Sequence, residues 1–258
     1  MKRLLLLISL ILPLLSIGQK VVKDNGNTVN HSSKVITYGE HWYGIEYDIT
    51  ATDPDVTRIA SSPDDMKLHA SLPIQNGMRA CLLLDNGTVN YWLDPNDWSK
   101  KIDGTASNLD GTDGMVMIYV PRHYRKFETS GNTYRCKLSM YPIAGFHEVS
   151  AFYIGAYEAS LQRSTLKLSS VVNATADYRG GNNNAAWDAQ SNTLLGKPAT
   201  VLSRPNFRTY ARNRGSVNWN INTYEQHKTI TWLFVVEYAT RNSQKAIDAS
   251  FTAQGYRK

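Results

Sequence analysis

Turn chemistry constrains this chain most: between Leu82 and Leu138, apolar runs are repeatedly cut by Asn-Gly, Asp-Gly and Ser-Gly-Asn. Asn86-Gly87 separates Leu82-Leu83-Leu84 from Val89-Asn90-Tyr91-Trp92, and a two-residue turn of the primed type there needs the positive φ that Asn-Gly tolerates. Asp103-Gly104, Asp110-Gly111 and Asp113-Gly114 mark further turns. Ser130-Gly131-Asn132 divides Arg125-Lys126-Phe127 from Tyr134-Arg135-Cys136-Lys137-Leu138 as a second hairpin. The alternation from Gly44 to Ile49 and the compact runs Ala80–Leu84 and Val116–Val120 supply strands, so residues 41–149 are expected to form a β-rich module.

The character changes after Val149. Phe152–Glu158 reads as a strand, and a long polar stretch centred on Asp177–Asn184 reads as a large exposed loop. Ser203-Arg204-Pro205 is a helix start with Ser as N-cap, Gly215 is its stop, and Phe207, Tyr210 and Ala211 share one face. A second helix is expected from Tyr224 to Gln244, with Tyr224, His227, Ile230, Phe234 and Tyr238 at three- and four-residue steps. Trp232, Leu233, Val235 and Val236 fill its remaining faces, which predicts burial on two sides, with Glu237 a buried carboxylate held by a backbone or Arg partner. The expected class is α+β: the β-rich module, then strand, long loop, short helix and long helix over residues 150–258.

The first residues read as an address. Lys2 and Arg3 precede the apolar run Leu4–Leu15, and Ser16-Ile17-Gly18 offers small residues for cleavage after Gly18. That run falls well short of the ~20 residues a spanning helix needs, and no Cys follows the cut to carry a lipid. A signal peptide at 1–18, a flexible polar leader at 19–40 and no membrane span in the mature chain are therefore expected, with a secreted or cell-surface location. The net charge of +6 falls to +4 without Lys2 and Arg3, and it is scattered, which disfavours a nucleic-acid partner. The densest basic cluster, Arg122-His123-Tyr124-Arg125-Lys126, reads as one face of an exposed strand.

No enzyme is expected. The chain carries no His-Glu-x-x-His, Gly-x-Ser-x-Gly or Cys-x-x-Cys, and its histidines lack metal-ligand spacing, so no catalytic residue, metal or cofactor is assigned. Asp110, Thr112 and Asp113 fit turn chemistry better than a calcium loop. An oxidising compartment would allow one disulfide between Cys81 and Cys136, a pairing the sequence leaves open. Candidate ligand contacts are Tyr178, Arg179, Asn182, Asn183, Asn184 and Trp187, because amide and guanidinium groups bond sugar hydroxyls and Trp stacks on sugar faces. The same run also suits a loop of positive-φ residues pinned to the core by Trp187.

Three blocks carry a resemblance. Phe152-Tyr153-Ile154-Gly155-Ala156-Tyr157-Glu158, then Lys197-Pro198-Ala199-Thr200-Val201 with Phe207, Tyr210 and Ala211, then Trp232–Thr240 with Glu237-Tyr238-Ala239, resemble the opening half of the formylglycine-generating-enzyme (sulfatase-modifying-factor) family within the C-type-lectin-like fold. Upstream, Met115–Arg125 and Gly145–Val149 are similar to a module of bacteriophage tail-fibre and receptor-binding proteins of gut bacteria. The resemblance implies a non-enzymatic binding protein whose partner is a cell-surface glycan or protein receptor, with a virion tail as the alternative location and a homo-oligomer by analogy with fibres. A structural fibre subunit binding only protein partners is the alternative. The enzyme members place paired catalytic cysteines after the long helix, where this chain has none, so the oxidase activity does not carry over and a degenerate enzyme is the least favoured reading. The lectin-like domain at 150–258 is expected to be incomplete, because little follows the long helix.

Overall fold

A computed structural model describes residues 40–181 and 195–247, and the backbone of three short strands ahead of them. These strands, β1 (Val22–Asp24), β2 (Asn27–Val29) and β3 (Val35–Ile36), pair as an antiparallel meander. The leader expected without regular structure thus carries backbone pairing, which β-branched Val22, Val29, Val35 and Ile36 favour over runs too short to show a period. The signal peptide expected at 1–18 lies outside the described residues.

Along the chain follow β4 (Tyr43–Asp48), β5 (Thr57–Ala60), the single helical turns α1 (Leu68–Ser71) and α2 (Pro73–Asn76), β6 (Arg79–Leu83) and β7 (Val89–Trp92). Then come β8 (Met115–Val120), β9 (His123–Ser130), β10 (Thr133–Ser139), β11 (His147–Val149) and β12 (Phe152–Gly155). The short strands β13 (Ser160–Gln162), β14 (Lys167–Ser169) and β15 (Tyr178–Arg179) precede helices α3 (Arg204–Arg212), α4 (Tyr224–Tyr238) and α5 (Ser243–Ile247). The class is α+β with antiparallel sheets. Sheet one runs β11-β9-β10-β4-β5, sheet two β12-β8-β6-β7, and a small third sheet β14-β13-β15.

Both expected hairpins form. β9 and β10 pair from Ser130 opposite Thr133, with Gly131 at φ 57°. The hairpin at Asn86-Gly87 closes by a different turn: Gly87 N–H donates to Leu84 O, Leu84 N–H donates to Thr88 O, and only Gly87 takes a positive φ. This is a three-residue loop, in which a turn over Asp85-Asn86 is followed by a left-handed glycine. The Asn86 carboxamide accepts from Thr88 N–H, so its work is side-chain bonding rather than positive φ. At Asp110 the carboxylate accepts from both the N–H and the hydroxyl of Thr112, the local turn expected there.

Helix α4 lies over sheet one. Its Leu233, Val235 and Val236 join Tyr43, Ile45, Cys136, Leu138 and Val120 in the largest core, while Trp232 stacks on Tyr134 at 5.5 Å. Each such aliphatic burial is worth about 1.5–3 kcal/mol. Thr223 and Gln226 cap the helix reciprocally. Its last residue is Tyr238, six residues before the expected end, and Ala239 caps it with a left-handed φ of 52°. The chain there pairs instead with residues 51–56: Val56 N–H donates to Ala239 O, Arg241 N–H to Pro54 O, and the Arg241 guanidinium to Asp53 O. Glu237 is half-buried, and Arg58 bonds its backbone carbonyl rather than its carboxylate.

Two further expectations are corrected. The basic cluster at 122–126 is no exposed face: His123 and Arg125 are buried, because β11 flanks β9 and α4 covers it, and Arg125 reaches Thr229 and Glu225 on that helix. Cys81 and Cys136 are free thiols, one in each main sheet and each in a separate core, so the pairing left open by the sequence is not made. Burial pushes the Cys81 thiol up to about 11, and burial pushes Cys136 up as well. The chain on either side of residue 150 shares one sheet, since β12 pairs with β8.

Candidate functional site

An open cleft of about 800 Å³ lies among the described residues. One wall is the strand edge and its continuation from Tyr153 to Ala159, a second is the third sheet with α3 through Leu168, Phe207 and Ala211, and a third is the loop from Val217 to Thr223. β12 is the edge of sheet two, so the side away from β8 is unpaired. Ala156 N–H donates to Val116 O, and the register places Ile154 opposite Ile118 and Phe152 opposite Val120. Antiparallel alternation therefore turns the N–H and C=O groups of Tyr153 and Gly155 outward, toward the cleft. Gly155 has no room for a side chain, since a Cβ would lie 3.0 Å from Tyr157 O and 3.3 Å from Ser170.

The loop is built by local chemistry. Ser203 Oγ accepts from Asn206 N–H to start α3, and Gly215 at φ 98° ends it. The segment Val217-Asn218-Trp219-Asn220-Ile221-Asn222 then alternates apolar and amide side chains until Thr223 begins α4. Trp219 anchors it: its Nε1 donates to Asp85 O at 2.8 Å, and the Arg214 guanidinium lies 5.4 Å from its ring centroid. The carboxamides of Asn218 and Asn222 make no hydrogen bond among the described residues, and both residues are exposed.

Behind the loop sits a polar knot. Arg214 is 6% exposed, and its guanidinium donates to Leu168 O at 2.8 Å, Ser169 Oγ at 2.6 Å and the Asp85 carboxylate at 2.5 Å. Lys167 bonds the other Asp85 oxygen at 2.8 Å. Burial raises the Asp85 carboxyl, but the hydrogen bonds from Lys167 and Arg214 outweigh it and hold the group below the ordinary carboxylate range. Three distant segments, the β6–β7 turn, β14 and the cleft loop, are thereby tied to one side chain.

Of the residues nominated from sequence, Tyr178 and Arg179 fall in β15, outside the cleft lining. Tyr178 packs on the core around Met115 and Val171 and lines a smaller polar pocket of about 310 Å³ with Lys167 and Arg214. Arg179 Nε donates to Ala176 O in its own turn. Asn182, Asn183, Asn184 and Trp187 lie outside the described residues. Arg214, Trp219 and the three asparagines were missed, although the alternation of Asn with Trp and Ile directly after a helix-stopping glycine was a visible signal.

The charged side chains that line the cleft are Glu158 and Arg214, and only Glu158 lacks an ion pair among the described residues. One carboxylate does not make an acid–base couple. Elsewhere, Ser61, His41 and Asp65 cluster, yet the Ser61 hydroxyl and His41 Nδ1 (3.0 Å) both bond the carboxylate, so the imidazole does not face the hydroxyl as a nucleophile's base would. Among the described residues no three His, Cys, Asp or Glu side chains gather to hold a metal ion, and no helix is long and apolar enough to cross a membrane. No family model, curated protein or solved structure matches the chain.

Proposed function

We propose that this chain is a non-enzymatic binding protein of the receptor-recognition type, and that the cleft along β12 is where it takes its ligand. The observation that carries the reading is the lining: an open edge and two free carboxamides beside Trp219, Tyr153 and Tyr157, with a single unpaired charge. Such a surface offers donors, acceptors and ring faces for recognition and has no paired groups for proton transfer. The order of β12, long connection, α3 and α4 supports a C-type-lectin-like reading of the second half. The signal-peptide pattern at 1–18 supports display outside the cell, where a glycan or protein receptor would be met.

Binding of the exported chain to immobilised glycans and peptides, with and without calcium, tests the proposal. Retention that Asn218→Ala and Asn222→Ala together abolish, while the thermal melt is unchanged, is the expected result. Retention indifferent to both substitutions would place recognition elsewhere.

A further inference from the structure

We infer that the cleft takes an extended, positively charged peptide segment by strand addition to β12. This rests on the reading of the cleft as the binding site and names its ligand class.

The argument begins with unsatisfied backbone. Tyr153 and Gly155 each turn an N–H and a C=O away from β8, and no described residue bonds them. These groups recur every second residue, the spacing at which an added strand offers its own donors and acceptors. A sugar presents hydroxyls without that repeat, and a helix has no free main-chain groups along its length. Across the cleft, the free carboxamides of Asn218 and Asn222 each present both a donor and an acceptor, the pair needed to hold the far side of a peptide unit. An added chain would therefore be bonded on both edges.

Charge and shape restrict the occupant further. Arg214 is neutralised by Asp85, which leaves the exposed Glu158 carboxylate at one end of the open edge as the uncompensated charge of the lining. A Lys or Arg side chain complements it. The edge lies between the Val217–Thr223 loop and the α3 wall, so a single extended chain can lie along it. The β12 edge of a second copy, recessed between its own walls, cannot reach it.

The experiment is selection of a displayed library of random peptides on the full chain, with a glycan array in parallel, followed by amide hydrogen exchange of the complex. Selected peptides should carry a Lys or Arg, and binding should slow exchange at the Tyr153 and Gly155 amides. Tyr153→Pro removes one outward N–H and nothing from the ladder to β8, and Tyr153→Ala controls for the lost ring. The proline variant should bind about tenfold more weakly than the alanine variant, the effect of one main-chain bond and its neighbours. Peptide binding that leaves both amides exchanging freely overturns strand addition even if the proline variant fails to fold. Glycan binding lost on Asn218→Ala and Asn222→Ala, with no peptide selected, overturns it while the cleft survives as the site. Ligand binding untouched by any cleft substitution overturns both.

Discussion

Two regions of this molecule are held together in different ways. Sheet one and α4 meet through an apolar core in which Tyr43, Ile45, Leu138, Leu233 and Val236 are all under 4% exposed. The cleft end is tied instead by the Arg214 knot, whose bonds run to Asp85, Leu168 and Ser169, with Trp219 lying beneath the guanidinium. An apolar core closes on itself because every pair of surfaces that meets leaves water. A polar knot fixes segments at points and leaves open space between them. The cleft lies at the second region for that reason.

Truncating the first kind of contact should cost most. Leu233→Ala is expected to lower the unfolding free energy by about 3 kcal/mol and to do so globally, shifting the urea midpoint and the exchange of every core amide together. Arg214→Ala should cost less, about 2 kcal/mol, because Asp85 is partly exposed and retains Lys167. Its effect should be local: faster exchange in residues 84–88, 167–169 and 216–222, with β4 and β10 amides unchanged. If the arginine variant loosens sheet one as much as the leucine variant does, the two regions are one cooperative unit and the contrast fails.

The apolar region has a polar exception that pH exposes. His123 is fully buried, and its Nδ1 lies 2.9 Å from Pro121 O, a pure acceptor, so Nδ1 carries the proton and the buried Nε2 has no partner. Burial pushes its pKa below the ordinary 6.5. The unfolded chain then binds a proton at a pH where the folded chain does not, so stability is full above about 6.5 and falls as pH drops toward the folded value. Urea midpoints at pH 7.5 and 5.5 should differ, and His123→Gln should narrow that difference. An unaltered slope in the variant would assign the pH sensitivity to another group, first of all His69, whose ring meets that of Tyr43 edge-on at 5.6 Å and whose pKa burial also lowers.

The two regions also differ in how much of them the sequence reveals. The β4, β6, β8 and β9–β10 strands follow from period and turn residues, and α3 follows from Ser203, Pro205 and Gly215, because caps and pleats are local. Locality ends where α4 does: nothing near Ala239 announces that the chain will pair with residues 51–56. The knot was less legible still. Arg214 stands one residue before the glycine that stops α3, and its decisive partner, Asp85, is 129 residues away. The buried face of β9 was misread for the same reason, since Arg125 meets the helix that covers it at Glu225, 100 residues later. The cleft needs three such distant segments at once, and only the alternation at 217–222 was written in one place.

The smallest expected effect on stability sharpens the contrast most. The carboxamides of Asn218 and Asn222 bond nothing among the described residues, and the one bond of Asn218, from its backbone N–H to Ser216 Oγ, survives truncation, so replacing either with Ala should leave the unfolding free energy within about 0.5 kcal/mol of the parent. Residues that only build a loop rarely behave so: Asn86 and Asn108 spend their carboxamides on neighbouring groups, and their removal should register. If the cleft asparagines are there for a ligand, the same substitutions that leave the melt untouched should weaken binding about tenfold each, the loss of one or two hydrogen bonds to a desolvated partner. Urea unfolding and binding isotherms on the same four variants, two from each set, separate the roles. A cleft pair that proves costly to stability would mean that the amides close the loop on itself, and the open region would then be held by more than its knot.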